Sequence, residues 1–404
     1  MRFILDRDME THPGAREAAA IVRSCVHCGF CNATCPTYQL SGNELEGPRG
    51  RIYLMKSWLE AGAVSATTQA HLDQCLLCRN CETTCPSGVQ YGRLLDIVRP
   101  QINAVVGWSW RQRLLRGLIR ALIPYPRRWR WAARLGRLLG PLLPQQWSTT
   151  LALGRDSTMP VTRAHRRRVL LLGGCAQPVL NPNIDFAARA VFDRLGMALV
   201  DCPGADCCGA LPYHLGDPAA AVRMAKANID AWWPQVLAGA EAIIATSSGC
   251  GVHLRDYAQL LVGEPDYASR AETMTQLVRD PIELIDAEAL RAHVRGDGSR
   301  IAVQTPCTLQ HGLQLAGRME ALLRALGWDV VPVADGHLCC GSAGAHSLLH
   351  RATARELRTE KLHALSRAEP TQIVTANIGC QLHLAAAAKV PVKHWLELVA
   401  SALN

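Results

Sequence analysis

The sequence predicts a multidomain protein of mixed α+β and α/β class. The expected parts are an amino-terminal helical domain rich in cysteine, an Arg/Trp-rich helical connector, and two duplicated βαβ domains with parallel sheets. Three observations carry that expectation. A four-cysteine run occurs twice near the amino terminus, the carboxyl-terminal half repeats itself at an offset of 132 residues, and the segment between holds the basic charge. At 404 residues the chain has the length of two or three domains and ample material for buried cores. Hydrophobic residues make up 49% and charged residues 19%, which excludes disorder and low complexity. The expected domain limits are 1–107, 108–167, 168–299 and 300–404.

Seventeen cysteines set the next bound. Met1–Asp8 lacks the apolar core and cleavage site of a secretory signal, and no apolar run approaches the ~18 residues that span a bilayer. A cytosolic or peripheral location is expected, where cysteines stay reduced and serve metals or catalysis rather than disulfides.

The first element is the doubled run. Cys25-x2-Cys28-x2-Cys31-x3-Cys35-Pro36 recurs as Cys75-x2-Cys78-x2-Cys81-x3-Cys85-Pro86. Three thiolates spaced by two residues point inward from one tight loop and hold three corners of a cubane. The fourth, before Pro, is expected at the start of a helix, pointing away. In ferredoxins with this run the fourth Cys ligates the other cluster. Cluster one is therefore assigned Cys25, Cys28, Cys31 and Cys85, and cluster two Cys75, Cys78, Cys81 and Cys35. Zinc also uses C-x2-C pairs but has no use for a doubled four-cysteine run. Between the runs, Gly47-Pro48-Arg49-Gly50-Arg51-Ile52 reads as a turn entering a helix. Its Arg49 and Arg51 either balance the anionic clusters or form a solvated helix start. Two adjacent cubanes without a substrate pocket make a one-electron wire.

The connector is next. From Trp108 to Arg168 there are fourteen Arg, no Lys or Glu, and one acid, Asp156; the segment carries +13 of a chain whose total is +9. In helical projection Leu114, Leu115, Leu118, Ile119, Leu122 and Ile123 share one side, with Arg113, Arg116 and Arg120 on the other. Pro124 and Pro126 stop this helix, and Arg127-Arg128-Trp129-Arg130-Trp131 opens a second that Pro141 and Pro144 end. Three roles compete for residues 108–147: docking on neighbouring domains, binding a partner subunit, or peripheral contact with an anionic membrane. Nucleic acid is not expected, because the remainder of the chain is acidic and lacks a recognition motif.

The last element is the repeat. Val169–Cys175 matches Ile301–Cys307, each a strand, a turn and a Cys opening a helix. Cys207-Cys208-Gly209 matches Cys339-Cys340-Gly341, and Ala242–Cys250 matches Gln372–Cys380. His253 and His383 follow the last Cys by three residues, and His214 and His346 lie six past the Cys-Cys pair. Apolar strands alternating with the helical stretches Phe186–Leu195 and Ala221–Leu237 imply parallel sheets, whose ligands gather at strand carboxyl ends. Cys175, Cys207, Cys208, Cys250 and His253, and Cys307, Cys339, Cys340, Cys380 and His383, are thus two candidate metal sites. Cys202 has no counterpart and reads as core.

With these residues in place, the chain resembles, end to end, the family that joins a two-[4Fe–4S] ferredoxin domain to two "CCG" domains. That family includes iron-sulfur subunits of bacterial glycolate oxidase and of anaerobic glycerol-3-phosphate dehydrogenase, lactate-utilisation proteins and heterodisulfide reductase subunits. The ending Ala376-Asn377-Ile378-Gly379-Cys380-Gln381-Leu382-His383 is most similar to the glycolate oxidase subunits. In the heterodisulfide reductases the repeat ends in Cys-x2-Cys and holds a noncubane cluster. Here His253 and His383 replace that Cys, and imidazole ligates iron but cannot bridge two irons. A cluster with altered ligation, another metal, or a redox dithiol each fit. The resemblance implies FAD-containing partner subunits that oxidise glycolate to glyoxylate, a quinone or other membrane acceptor, and a cytoplasmic place on the face of the inner membrane. No G-x-G-x-x-G follows a strand and no substrate-binding Arg/His pair is evident, so this chain is expected to hold no catalytic residue of its own. The rival readings are a lactate or glycerol-3-phosphate dehydrogenase subunit, a thiol-disulfide reductase, and a structural metal-binding scaffold.

Overall fold

The computed structural model describes residues 3–138 and 159–404. Pro141, Pro144 and Trp147, the expected end of the second connector helix and the last connector Trp, lie outside the described residues. The chain forms two compact units. One comprises residues through Leu115 together with Asp335–Lys361, and the other Arg116–Ala334 with Leu362–Asn404. The segment carrying Cys339-Cys340-Gly341 thus shares a unit with the doubled cysteine runs.

The first unit is helical: α1 (Ala15–Ser24), α2 (Phe30–Ala33), α3 (Pro36–Ser41), α4 (Pro48–Ala61), α5 (Ala66–Asp73), α6 (Asn80–Thr84) and α7 (Tyr91–Val106). Helix α4 begins where the Gly-Pro pair placed it, with Pro48 at its first position, where a missing N–H costs nothing. Val22, Ile52, Met55, Trp58, Leu59, Leu94, Leu95 and Val98 bring α1, α4 and α7 onto one core, and Cys31, Cys75 and Cys85 pack against it. Trp58 is fully enclosed, so its truncation to Ala would cost about 3–5 kcal/mol. The two fourth cysteines differ. Cys35 precedes α3 as expected, whereas Cys85 caps the end of α6 and enters a turn. Gly88, at φ 61°, takes the left-handed conformation in that turn, and the next helix, α7, starts at Tyr91.

Helices α8 (Trp110–Leu122) and α9 (Pro126–Leu138) follow. On α8 the buried residues are Arg116 and Ile119, while Leu114, Leu115 and Leu118 are exposed. The inward line thus straddles the edge between the apolar and cationic sides rather than centring on the leucines.

The second unit contains both sheets. In chain order its elements include β1 (Arg167–Leu171), α10 (Asn183–Arg194), β2 (Met197–Asp201), α11 (Ala210–His214), α12 (Pro218–Leu237), β3 (Ala242–Ile244), α13 (Ser248–Arg255) and β4 (Val278–Arg279). The second repeat supplies β5 (Arg300–Gln304), α14 (Arg318–Ala325) and β6 (Asp329–Val331). Then come α15 (His346–Leu349) and α16 (Arg351–Ser366), both of the first unit apart from the end of α16 past Lys361, followed by β7 (Gln372–Thr375), α17 (Ile378–Ala385), β8 (Val392–His394) and α18 (Trp395–Ser401). Strand orders β2-β1-β3-β4 and β6-β5-β7-β8 are identical and parallel throughout, so the sequence repeat is a repeat of topology. The strands read as continuous apolar runs because parallel sheets are covered on both faces. Val169, Leu171, Ile244, Ile301, Val303, Val374 and Trp395 belong to one hydrophobic core that spans the two sheets.

Candidate metal centres

Both cysteine runs form loops of the same backbone. His27 and Leu77, two residues past the first Cys, have φ of 61° and 53°, and Gly29 and Arg79, four past it, have φ of 85° and 57°. Non-glycine residues rarely hold positive φ, and they do so where the surroundings impose it, as at ligand-binding loops. Such alternation turns amides toward one concavity. The Leu77 amide donates to Cys75 Sγ at 3.5 Å, and Val89 N to Cys85 Sγ at 3.5 Å.

Two hollows result. One is lined by Cys35, Cys75, Cys78 and Cys81 with Thr37, Arg51 and Tyr91; the other by Cys25, Cys28, Cys31 and Cys85 with Ile52, Val89 and Arg49. They enclose about 390 and 420 Å³ of space, partly open to solvent. Each gathers three cysteines of one run and the fourth of the other, so the donor set and its apolar walls fit a cubane apiece. Cys81, Pro48 and Tyr91 line both hollows, which therefore share a wall. Burial, with Cys25 and Cys28 alongside, pushes the Cys31 thiol up to about 11, and burial likewise raises Cys25 and Cys81. Thiols so crowded become thiolates readily only against a metal.

Three residues that sequence reasoning passed over complete this environment. Thr37 Oγ1 lies 3.3 Å from Cys35 Sγ, Tyr91 is buried in the common wall, and Asn80 donates to the Thr34 carbonyl at 3.0 Å and to the His337 carbonyl at 3.2 Å. A polar residue beside or within a cysteine motif was the available signal for Thr37 and Asn80, but nothing in the local pattern marked Tyr91. Of the two flagged arginines, Arg51 is buried in the wall of the hollow around Cys75, and Arg49 pairs with Glu44 at 2.5 Å at the edge of the other.

In the first repeat the structure brings all four candidate cysteines together. Cys175 lies beside Cys207, Cys207 beside Cys208, and Cys208 beside Cys250. That contact and burial hold Cys175 well above the ordinary thiol range. His253 is beside them: a Cβ on Gly209 would stand 3.4 Å from its Nε2, and its ring is 6.2 Å from that of His214. Asn228 donates to the Cys207 carbonyl at 2.9 Å and Tyr257 to the Cys208 carbonyl at 2.8 Å, two supports the sequence did not reveal. In the second repeat Cys339 and Cys340 are buried in the first unit, while Cys307, Cys380 and His383 belong to the second unit. The turn is repeated, with Gly341 N to Cys339 Sγ at 3.5 Å mirroring Gly209 N to Cys207 Sγ at 3.4 Å. Cys202 is buried core. Among the described residues no three Cys, His, Asp or Glu side chains converge as around a single ion; a cluster spreads its thiolates more widely.

Comparison with known proteins matches the chain to families at the level of domains. Residues 21–89 match the 4Fe-4S dicluster domain family, and residues 169–255 and 301–385 match the cysteine-rich domain family. The chain is 48% identical, over the whole of both chains, to the glycolate oxidase iron-sulfur subunit of Escherichia coli (strain K12). It is 29% identical to a probable glycolate oxidase iron-sulfur subunit of Bacillus subtilis (strain 168), over 89% of this chain and 88% of that one. Lactate utilization protein A of Geobacillus kaustophilus (strain HTA426) is 26% identical over 54% of this chain and 90% of its own length.

Proposed function

The chain belongs to the family of glycolate oxidase iron-sulfur subunits, and from that membership we propose that it is the electron-transfer subunit of a glycolate-oxidising complex. Flavin-bearing partner subunits take two electrons from glycolate, giving glyoxylate, and this chain passes them one at a time toward a quinone-type acceptor. The complex then sits at the cytoplasmic face of a membrane. The observation that carries the reading is the pair of four-cysteine hollows with a common wall. Cys25, Cys28, Cys31 and Cys85 would hold one [4Fe–4S] cluster, and Cys75, Cys78, Cys81 and Cys35 the other. Bound clusters supply reversible one-electron chemistry.

The chain's own residues do the rest. Tyr91, Pro48 and Cys81 keep the two sites one wall apart, which favours transfer between them. Ile52, Val89 and Leu76 keep their linings apolar, and Arg51 sets a fixed cation against the anionic sulfurs. In the first repeat, Cys175, Cys207, Cys208 and Cys250, with His253 alongside, suit a further iron–sulfur or metal centre, and Cys307, Cys339, Cys340, Cys380 and His383 are their counterparts. Purified anaerobically, the chain should carry at least about eight iron atoms, four per ferredoxin-type cluster, and give an EPR signal on one-electron reduction. Zinc in their place, or chelation of iron without loss of acceptor turnover by the complex, overturns the reading.

A further inference from the structure

Helices α8 and α9 show solvent the side that amphipathic helices ordinarily bury. On α8, Trp110, Leu114 and Leu118 follow at steps of four residues and are 68%, 56% and 50% exposed, while Arg116 and Ile119 face inward. On α9, Trp131 and Leu135, again four apart, are 70% and 59% exposed. Each exposed Trp has an arginine stacked on its ring: Arg111 at 5.3 Å from the Trp110 centroid and Arg134 at 5.4 Å from that of Trp131. Arg113, Arg127, Arg128 and Arg130 are exposed too, and residues 108–138 contain no Asp or Glu.

Apolar stripes of this kind mark an interaction surface, and its charge says what covers it. A protein interface fixes register by pairing charges of both signs. Here the same stripe, Trp at one end and arginines as the only charged residues of the helices themselves, occurs on two successive helices, and the acid paired with them is Asp217, 3.8 Å from Arg120; this suits a surface that is diffusely negative and apolar beneath. The headgroup boundary of an anionic bilayer has that profile, phosphates at arginine level and acyl chains under the leucines. Among the described residues no helix is long and apolar enough to cross a membrane, so the contact is in-plane.

We propose that α8 and α9 lie on an anionic lipid bilayer, their Trp–Leu stripes in the headgroup boundary and their arginines on lipid phosphates. This deepens the membrane placement of the proposed function but rests on residues apart from the cluster cysteines, so its failure leaves the electron-transfer reading intact.

The test is co-sedimentation of the anaerobically purified full chain with vesicles. The protein should bind vesicles containing phosphatidylglycerol, release at high salt, and ignore pure phosphatidylcholine. Replacing Arg111 and Arg113 with Gln should weaken partition about fivefold for each charge removed. Leu114→Ser with Leu118→Ser should weaken it at least as much, with visible absorption by the clusters unchanged as the folding control. Absence of binding to anionic vesicles, or binding indifferent to both sets of substitutions, overturns the proposal. So does protection of these helices from proteolysis by purified partner subunits alone, without vesicle binding.

Discussion

Arg51 is buried, yet a guanidinium stays charged at any working pH. Its Nη2 donates to Glu46 at 2.7 Å, its Nε to the His71 carbonyl at 2.8 Å, and its Nη1 to Thr37 Oγ1 at 3.2 Å. Glu46 also meets His71 Nδ1 at 2.6 Å, so the cation is locked in the wall beside Cys35 and Cys75. Reduction makes a cluster more negative, and a fixed cation favours that state, raising the potential. Arg51→Gln should lower the potential of the cluster proposed at this site by several tens of millivolts, where 59 mV is about tenfold for one electron. Arg51→Lys, which keeps the charge but loses the fork, should move it less and guards against simple misfolding. Redox titration followed by EPR checks this; an unchanged or raised potential in the Gln variant rejects it. Asp280 illustrates a different residue-level cost. Burial, partly offset by its hydrogen bond from Ile282 N at 3.0 Å, pushes its carboxyl up to about 7. The folded state holds that proton more tightly than the unfolded chain. Its stabilisation is therefore complete below the unfolded value of about 4 and is lost as pH rises toward 7. Asp280→Asn keeps the acceptor, so its melting temperature should fall less over that interval than the parent's.

The Cys-Cys-Gly turn is the element on which both repeats depend. Gly209 and Gly341 have φ of 92° and 89°, where a side chain is strained. The surroundings differ: a Cβ at 209 would stand 3.2 Å from the Ala221 carbonyl, and one at 341 only 2.7 Å from that of Ala354. Both Ala variants should lose about 1–3 kcal/mol from backbone strain alone. Gly341→Ala should lose clearly more, because both neighbours are helix carbonyls that cannot yield, and the one at 341 stands half an ångström closer. Thermal melts of the two variants test the ranking, and equal losses contradict it. At this scale the sequence was legible where chemistry is local. Cysteine spacing revealed the loops, the Gly47-Pro48 pair revealed α4, and apolar runs revealed the strands. The orientation of α8 was not legible, since periodicity tells which residues share a side but not which side finds a partner; Arg116 went in and Leu118 stayed out. Nor was the company of Cys339 and Cys340 legible, because membership of a compact unit comes from packing between segments far apart in the chain. His350, for example, bonds Asp73 at 2.9 Å. Tyr91 and Asn228 escaped for the same reason: each acts on a cysteine site from another element.

For the whole molecule, the question is where single electrons cross its surface. Within the first unit, Cys28 is the exposed member of the eight ferredoxin-type cysteines, the others being buried or half-buried. Val26, Phe30 and Tyr53, each more than half exposed, belong to the same loops and helices as the hollow it lines. Apolar side chains around a redox thiol allow a partner to approach without stranding charges, and transfer weakens steeply with each intervening layer of atoms. The site around Cys28 should therefore exchange electrons with a partner directly, and the site around Cys75 and Cys78 through the shared wall. Two substitutions separate these roles. Cys28→Ser removes a proposed cluster ligand, so it should abolish turnover with the proposed acceptor while glycolate still reduces the flavin of the proposed partner subunits. Phe30→Asp removes no ligand and should leave iron content and the EPR signal intact, yet slow electron exchange between flavin and cluster at least about tenfold, the effect of 1.4 kcal/mol on the encounter. Stopped-flow reduction of the reconstituted complex reads both. If Cys28→Ser turns over normally, that cluster is off the path. If Phe30→Asp exchanges electrons at the parental rate, the partner docks on another face and Cys28 merely happens to be exposed.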